Sequence, residues 1–171
     1  MDTQCCSLLR LCKCAMVWPK LADGIEMARS DFKFFHTMRV RYSEIDHQGV
    51  VFNAHYLTYL DVGHTEYMRS MRYNYSAAVK ETGIDFHLVK ATVEFKAPLY
   101  FDQEFDVGIR VARLGNTSIT IIYEIYKTGT DDLVACGEKV DVCVYLEGHK
   151  PVQIPEGFRK AMEEFEGKEL S

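Results

Sequence analysis

From Phe34 to Tyr42 apolar and polar positions alternate, with Met38, Val40 and Tyr42 on one side and Thr37, Arg39 and Arg41 on the other. A period of two marks a half-buried strand, and this stretch is expected to be the first. A short polar loop over 43–52 follows, and then the period changes. Across 53–72, Leu57, Leu60, His64, Tyr67 and Met71 recur at steps of three and four, while His55, Thr58, Asp61, Thr65, Arg69 and Arg72 fall on the other side. That spacing predicts a helix of about twenty residues, roughly 30 Å long. Asn53 is of a type favoured at the N-cap, and Glu66 with Arg69 makes an i,i+3 pair on the helix flank.

Beyond a short connector containing Thr82-Gly83, the chain reads as strand after strand: "ATVEFKAPL", "EFDVGIRVARL", "TSITIIYEIYK" and "LVACGEKVDVCVYL". In the second of these Phe105, Val107, Ile109 and Val111 alternate with Glu104, Asp106, Gly108 and Arg110. Turn residues separate the strands at Pro98, at Gly115-Asn116 and at "TGTDD". Loops this short impose antiparallel pairing. The tail breaks at Pro151 and Pro155 and is expected to end in a short helix. The order predicts an α+β layer in which one helix covers one face of a curved, mainly antiparallel five-stranded sheet. Edges left open on such a sheet are commonly closed by a second copy, so at least a dimer is expected.

Composition bounds this picture without changing it. The 171 residues, 47% hydrophobic and 26% charged, suffice for one domain. The expected organisation is an N-terminal extension over 1–31, a domain over 32–165 and a tail over 166–171. A net charge of −5 excludes an extended nucleic-acid surface or a polybasic membrane anchor, both of which need a concentrated excess of Lys and Arg. Four of the six cysteines, Cys5, Cys6, Cys12 and Cys14, crowd the N-terminus, whereas Cys136 and Cys143 lie in a strand-like stretch. A disulfide scaffold would distribute its cysteines through the fold, so a reducing cytoplasm is expected. "CCSLLRLCKCAMVW" is too short and too interrupted by Arg10 and Lys13 for a span or a signal peptide. Its Cys-Cys and Cys-x-Cys spacings are not the C-x2-C pairs of zinc knuckles. The bland alternatives are a poorly ordered extension or a true start at Met27.

The loop between first strand and helix holds the densest chemistry, within "VRYSEIDHQGVVFNAHYLTYLDVGHTEYMR". Val40-Arg41-Tyr42, Asp46, Gly49, Val50-Val51, Asn53, Tyr56-Leu57 and Glu66-x-x-Arg69, in this order of elements, resemble the hotdog-fold acyl-CoA thioesterases of the 4-hydroxybenzoyl-CoA thioesterase type. "KPVQIP" near the end is similar as well, and the resemblance spans about residues 34–160. It implies a hotdog fold, a long central helix wrapped by the curved sheet. It also implies hydrolysis of an acyl-CoA or acyl-carrier-protein thioester to free acid and thiol, with Asp46 as nucleophile or general base. The backbone amide of Asn53, where the helix begins, would stand in the oxyanion hole. One branch of the family carries a His where Asn53 stands, which places more of the chemistry on Asp46 here. Another branch carries its carboxylate partway along the helix, making Glu66 the second candidate.

Those residue types suit the reaction. Charge develops on the thioester oxygen, and the unpaired N–H groups and dipole of a helix N-terminus favour an anion there. A carboxylate can take a proton from water, or attack to form an anhydride that water opens. Thiolate leaves readily, so no strong acid, cofactor or metal is required. Gly49, Val51, Phe52 and Tyr56 are candidates to contact substrate, although a loop glycine often serves only its turn and helix-spaced aromatics are often core. His47, His55 and His64 make no H-E-x-x-H motif and are expected on the surface or in the core. A homodimer or homotetramer is expected, without nucleic acid or membrane span. The rival from another class is a hotdog domain that binds acyl-CoA without cleaving it.

Overall fold

A computed structural model describes residues 28–167 and 170. The cysteine-rich segment, with Cys5, Cys6, Cys12 and Cys14, lies outside the described residues. The elements run β1 (Phe34–Arg39), α1 (His55–Ser70), α2 (Tyr75–Thr82), β2 (Ile84–Ala91), β3 (Glu94–Phe95), β4 (Glu104–Leu114), β5 (Ser118–Lys127), β6 (Leu133–Tyr145) and α3 (Glu156–Glu166). The sheet order is β1-β4-β5-β6-β2, with the two-residue β3 also on β6, and every pairing is antiparallel. Among the described residues it therefore has six strands rather than five. The α+β layer expected from the element order is observed, in the hotdog architecture that the resemblance implies, with α1 lying across β4 and β1.

The extra strand and α2 come from the stretch read above as a connector. Asn74 caps α2 by accepting from the Ala77 amide at 3.1 Å, and Gly83 ends it in the left-handed conformation at φ 66°. Ile84, Phe86 and Leu88 then alternate with Asp85 and His87, after which a bulge between Leu88 and Lys90 breaks the period. What had looked like one strand over 91–99 is the end of β2, the short β3 and a loop.

The core fills the space between α1 and the sheet. Phe105, Val107, Ile109 and Val111 of β4 are at most 1% exposed, as are Ile121, Tyr123 and Ile125 of β5. From α1 the buried side chains are Tyr56, Tyr59, Leu60 and Tyr67. Leu57, expected inside, is 46% exposed, because the buried stripe runs one position to its N-terminal side. Tyr42, expected on the inner face of β1, is 82% exposed, since the strand stops at Arg39 and the chain turns through a 3-10 turn at Tyr42–Glu44.

The other sheet face is partly covered by residues ahead of β1. Arg29 binds Asp106 at 2.5 Å and lies over the rings of Phe35 and Tyr126. At the far end of the chain, Glu166 is 5% exposed and accepts from the Tyr67 hydroxyl at 2.7 Å and the Val111 amide at 2.8 Å. The packed body thus reaches from Arg29 to Glu166 and Leu170.

Candidate active site

The loop between β1 and α1 folds back on itself as a small hairpin. The Asp46 amide donates to the Val50 carbonyl at 2.8 Å, the Gly49 amide to the Asp46 carbonyl at 3.0 Å and the Phe52 amide to the Glu44 carbonyl at 2.9 Å. Gly49 sits at φ 79°, a conformation costly for a residue with a side chain and one that this turn uses. It does not line the groove beside the hairpin. The hairpin is fastened to the sheet body through the Val51 amide, which reaches the Leu99 carbonyl at 2.9 Å.

Asp46 is half-buried. One oxygen, Oδ1, accepts from the Gln48 amide at 2.7 Å; Oδ2 has no protein partner among the described residues. It lines a groove of about 540 Å³ together with Val51, Phe52, Asn53 and Tyr56, and with Phe95, Lys96 and Pro98 from the segment after β3. Val51 and Tyr56 are 4% and 3% exposed, forming the floor, while Phe52, 48% exposed, stands at the rim.

The helix start differs from the expectation in one respect. Ala54, not Asn53, occupies the N-cap position, and no side chain among the described residues caps α1. The first turn is closed instead by backbone bonds from the His55 amide to the Phe52 carbonyl at 2.9 Å and from the Tyr56 amide to the Asn53 carbonyl at 3.3 Å. In consequence the amides of Asn53 and Ala54 donate to no acceptor among the described residues. Asp46, with its open carboxylate oxygen, and Asn53, with its open helix-terminal amide, thus line one groove, a pairing of nucleophilic and anion-stabilising groups.

The remaining candidates lie elsewhere. Glu66 pairs with Arg69 on the outside of α1 and does not line this groove. His47 is exposed, and His55 lies edge-on to Phe52 with ring centroids 6.1 Å apart. His64 joins a different polar cluster: its Nδ1 lies 3.1 Å from Lys139 Nζ, which also holds Asp141 at 3.1 Å. Burial, aided by the lysine charge, pushes the His64 pKa down to about 3, so the imidazole is neutral and accepts the Lys139 proton. These residues line a second cavity of about 620 Å³ between α1, α2 and the sheet, where Asp141 Oδ1 has no partner among the described residues but is itself shielded from solvent. Cys136 and Cys143 are free and buried, and burial raises both thiols to about 11, which leaves them unreactive. Sequence reasoning missed Phe95, Lys96 and Pro98 as groove residues. Lys96 reaches the groove that Asp46 also lines only through the chain path after β3.

A curled antiparallel sheet around one long helix, with that helix opening onto a groove at its N-terminus, defines the class as a hotdog domain. The chain belongs to the thioesterase-like superfamily, whose family model matches residues 40–162, and is a thioester hydrolase by class. Among its relatives, the acyl-CoA thioester hydrolase YbgC of Escherichia coli O6:H1 is 28% identical over 118 residues, covering 69% of this chain and 87% of the relative. The chloroplastic acyl-acyl carrier protein thioesterase ATL3 of Arabidopsis thaliana is 28% identical over 129 residues, 75% of this chain and 66% of the relative. A hypothetical protein of Aquifex aeolicus, solved by crystallography, superposes with a TM-score of 0.68 at 29% identity over 75% of this chain and 98% of its own.

Proposed function

We propose that the protein hydrolyses an acyl-CoA or acyl-carrier-protein thioester to free acid and thiol, with Asp46 as general base or nucleophile and the Asn53 amide in the oxyanion hole. The observation that carries this reading is that Asp46, with an open Oδ2, lines the same groove as Asn53, whose amide donates to no acceptor among the described residues. With the thioester oxygen held by the amides, Asp46 takes the proton of an attacking water, or attacks the carbonyl carbon itself to give an anhydride that water opens. Either way the carbon–sulfur bond breaks and the thiolate leaves, to be protonated by solvent. Val51, Phe52 and Tyr56 supply the apolar wall for the acyl group, whereas Gly49 shapes the turn. The relatives named as acting on acyl-CoA and on acyl-carrier-protein thioesters support that substrate class.

The working form in this proposal is a homodimer or a tetramer built from it. Support comes from β2, an edge strand on which Leu88 and Val89 are 58% and 60% exposed. A reducing compartment, the cytoplasm, accords with the two free, buried thiols. The test is a screen of short, long and aromatic acyl-CoAs, and of an acyl-carrier-protein thioester, with free thiol as readout. Thiol release above the buffer rate for at least one class is expected. Saturable acyl-CoA binding with no release from any substrate would replace the hydrolase by the binding-only domain.

A further inference from the structure

The hairpin that carries Asp46 stands on a buried carboxylate. Glu44, 2% exposed, has both oxygens engaged: Oε2 accepts from the Arg41 amide at 2.8 Å and from the Tyr59 hydroxyl at 2.7 Å, and Oε1 from the Arg41 Nε at 2.8 Å and Nη2 at 2.5 Å. Tyr59 is 3% exposed, belongs to the second turn of α1 and packs on the Phe105 ring at 4.6 Å between centroids. Neither Glu44 nor Tyr59 lines the groove beside Asp46. A buried carboxylate is expensive unless fully hydrogen-bonded, and an apolar pair would fill this space without that cost. What the polar pair adds is a fixed distance between two elements.

Those two elements carry the two halves of the site. The Glu44 carbonyl accepts from the Phe52 amide, the residue immediately before Asn53, and its side chain grips α1 one turn further on. We propose that Glu44 and Tyr59 are positioning residues, setting the Asp46 hairpin against the N-terminus of α1 so that carboxylate and free amides meet one thioester. This inference rests on the reading of Asp46 given above.

The charged and titratable groups facing Glu44 are Arg41, from the turn after β1, and Tyr59, from α1. Burial alone would raise the Glu44 pKa; the hydrogen bonds from Arg41 and Tyr59, with the guanidinium charge, outweigh it and hold the carboxyl below its ordinary value. Glu44 therefore stays ionised across the neutral range. Arg41, whose side chain is 70% exposed, can be changed without opening the core.

The experiment compares Tyr59→Phe, Glu44→Gln, Arg41→Gln and Asp46→Asn in the full chain. It measures kcat, KM, melting temperature and affinity for a non-hydrolysable acyl-CoA thioether. Misplacing reacting groups without removing them lowers the rate more than binding, so Tyr59→Phe and Glu44→Gln are expected to cut kcat on the order of tenfold, with KM within about twofold. Arg41→Gln leaves burial to dominate at Glu44, and the acid limb of kcat is expected to move to higher pH. Wild-type kcat in folded Tyr59→Phe and Glu44→Gln, with only the melting temperature lowered, would overturn the inference and leave a structural brace. An acid limb unmoved in Arg41→Gln would do the same. Should Glu44→Gln fail to fold, Tyr59→Phe, which keeps the ring and the Arg41 bonds, decides alone. Wild-type turnover in Asp46→Asn would instead refute the underlying site; an inert Asp46→Asn beside normal Tyr59→Phe and Glu44→Gln would refute only the positioning role.

Discussion

His64 shows at the scale of one residue how little helical spacing says about a side chain's partner. Its place in the apolar series made a core or surface histidine the expectation, and its location on the inner side of α1 is consistent with that. The lysine that meets it, Lys139, comes from β6, and no local pattern connects positions 75 apart. A testable consequence follows from its neutrality. In the folded chain His64 stays uncharged to about pH 3, whereas an unfolded histidine takes up a proton near 6.5. Between those values the unfolded state binds more protons, so stability is full above about pH 6.5 and declines as pH falls. At about 1.36 kcal/mol per pH unit, the loss from this group between pH 7 and pH 5 reaches about 2 kcal/mol. Denaturant titrations at the two pH values are expected to show it, and His64→Asn, which cannot protonate, is expected to remove most of the difference. An unchanged pH slope in the variant would place the titration elsewhere.

Elements were legible where a long run kept one period. β4, with its clean alternation, is observed over Glu104–Leu114, the stretch quoted for it, and α1 lies inside the predicted span, shortened to sixteen residues. The connector over 73–90 was not legible because α2 is only eight residues long and β2 loses its alternation at the Leu88/Lys90 bulge. That the helix covers the sheet was legible, but its close approach at one residue was not. Gly63 lies on the inner face of α1, where an added Cβ would stand 2.8 Å from Val107 Cγ1, a branched side chain with little room to turn. Gly63→Ala improves helix propensity by about 1 kcal/mol but introduces overpacking of about 1–3 kcal/mol. A net lowering of the melting temperature is expected, and a rise would show that helix and sheet separate more easily than this contact implies.

For the whole molecule, the expectation of assembly depends on edges that a single chain leaves open. With β2 exposing Leu88 and Val89, the chain in solution is expected at twice the 19.7 kDa monomer mass or a multiple of it by light scattering at micromolar concentration. The double variant Leu88→Lys, Val89→Lys puts like charges on the edge and is expected to shift the population towards monomer. A wild type that stays monomeric would contradict the proposal. Removal of residues 1–26 is expected to leave hydrolysis and folding nearly unchanged, since β1 and the loop that carries Asp46 lie wholly after Phe32; loss of soluble protein on that truncation would contradict this. The candidate site was readable in part at this scale. Asp46 and Asn53 are neighbours in sequence and were found there, but the groove they share takes its opposite wall from Phe95, Lys96 and Pro98, and only the fold brings those residues across.

The most direct measurement is turnover by Asp46→Asn with acyl-CoA binding measured on the same preparation. The amide keeps the shape of the side chain and an oxygen to accept the Gln48 amide, yet can neither take a proton from water effectively nor form an anhydride. The account predicts that kcat falls by a factor on the order of 10² or more, that a non-hydrolysable acyl-CoA binds as well or better, and that the melting temperature hardly moves. Near-normal kcat in a folded Asp46→Asn variant would contradict it and turn attention to Glu66.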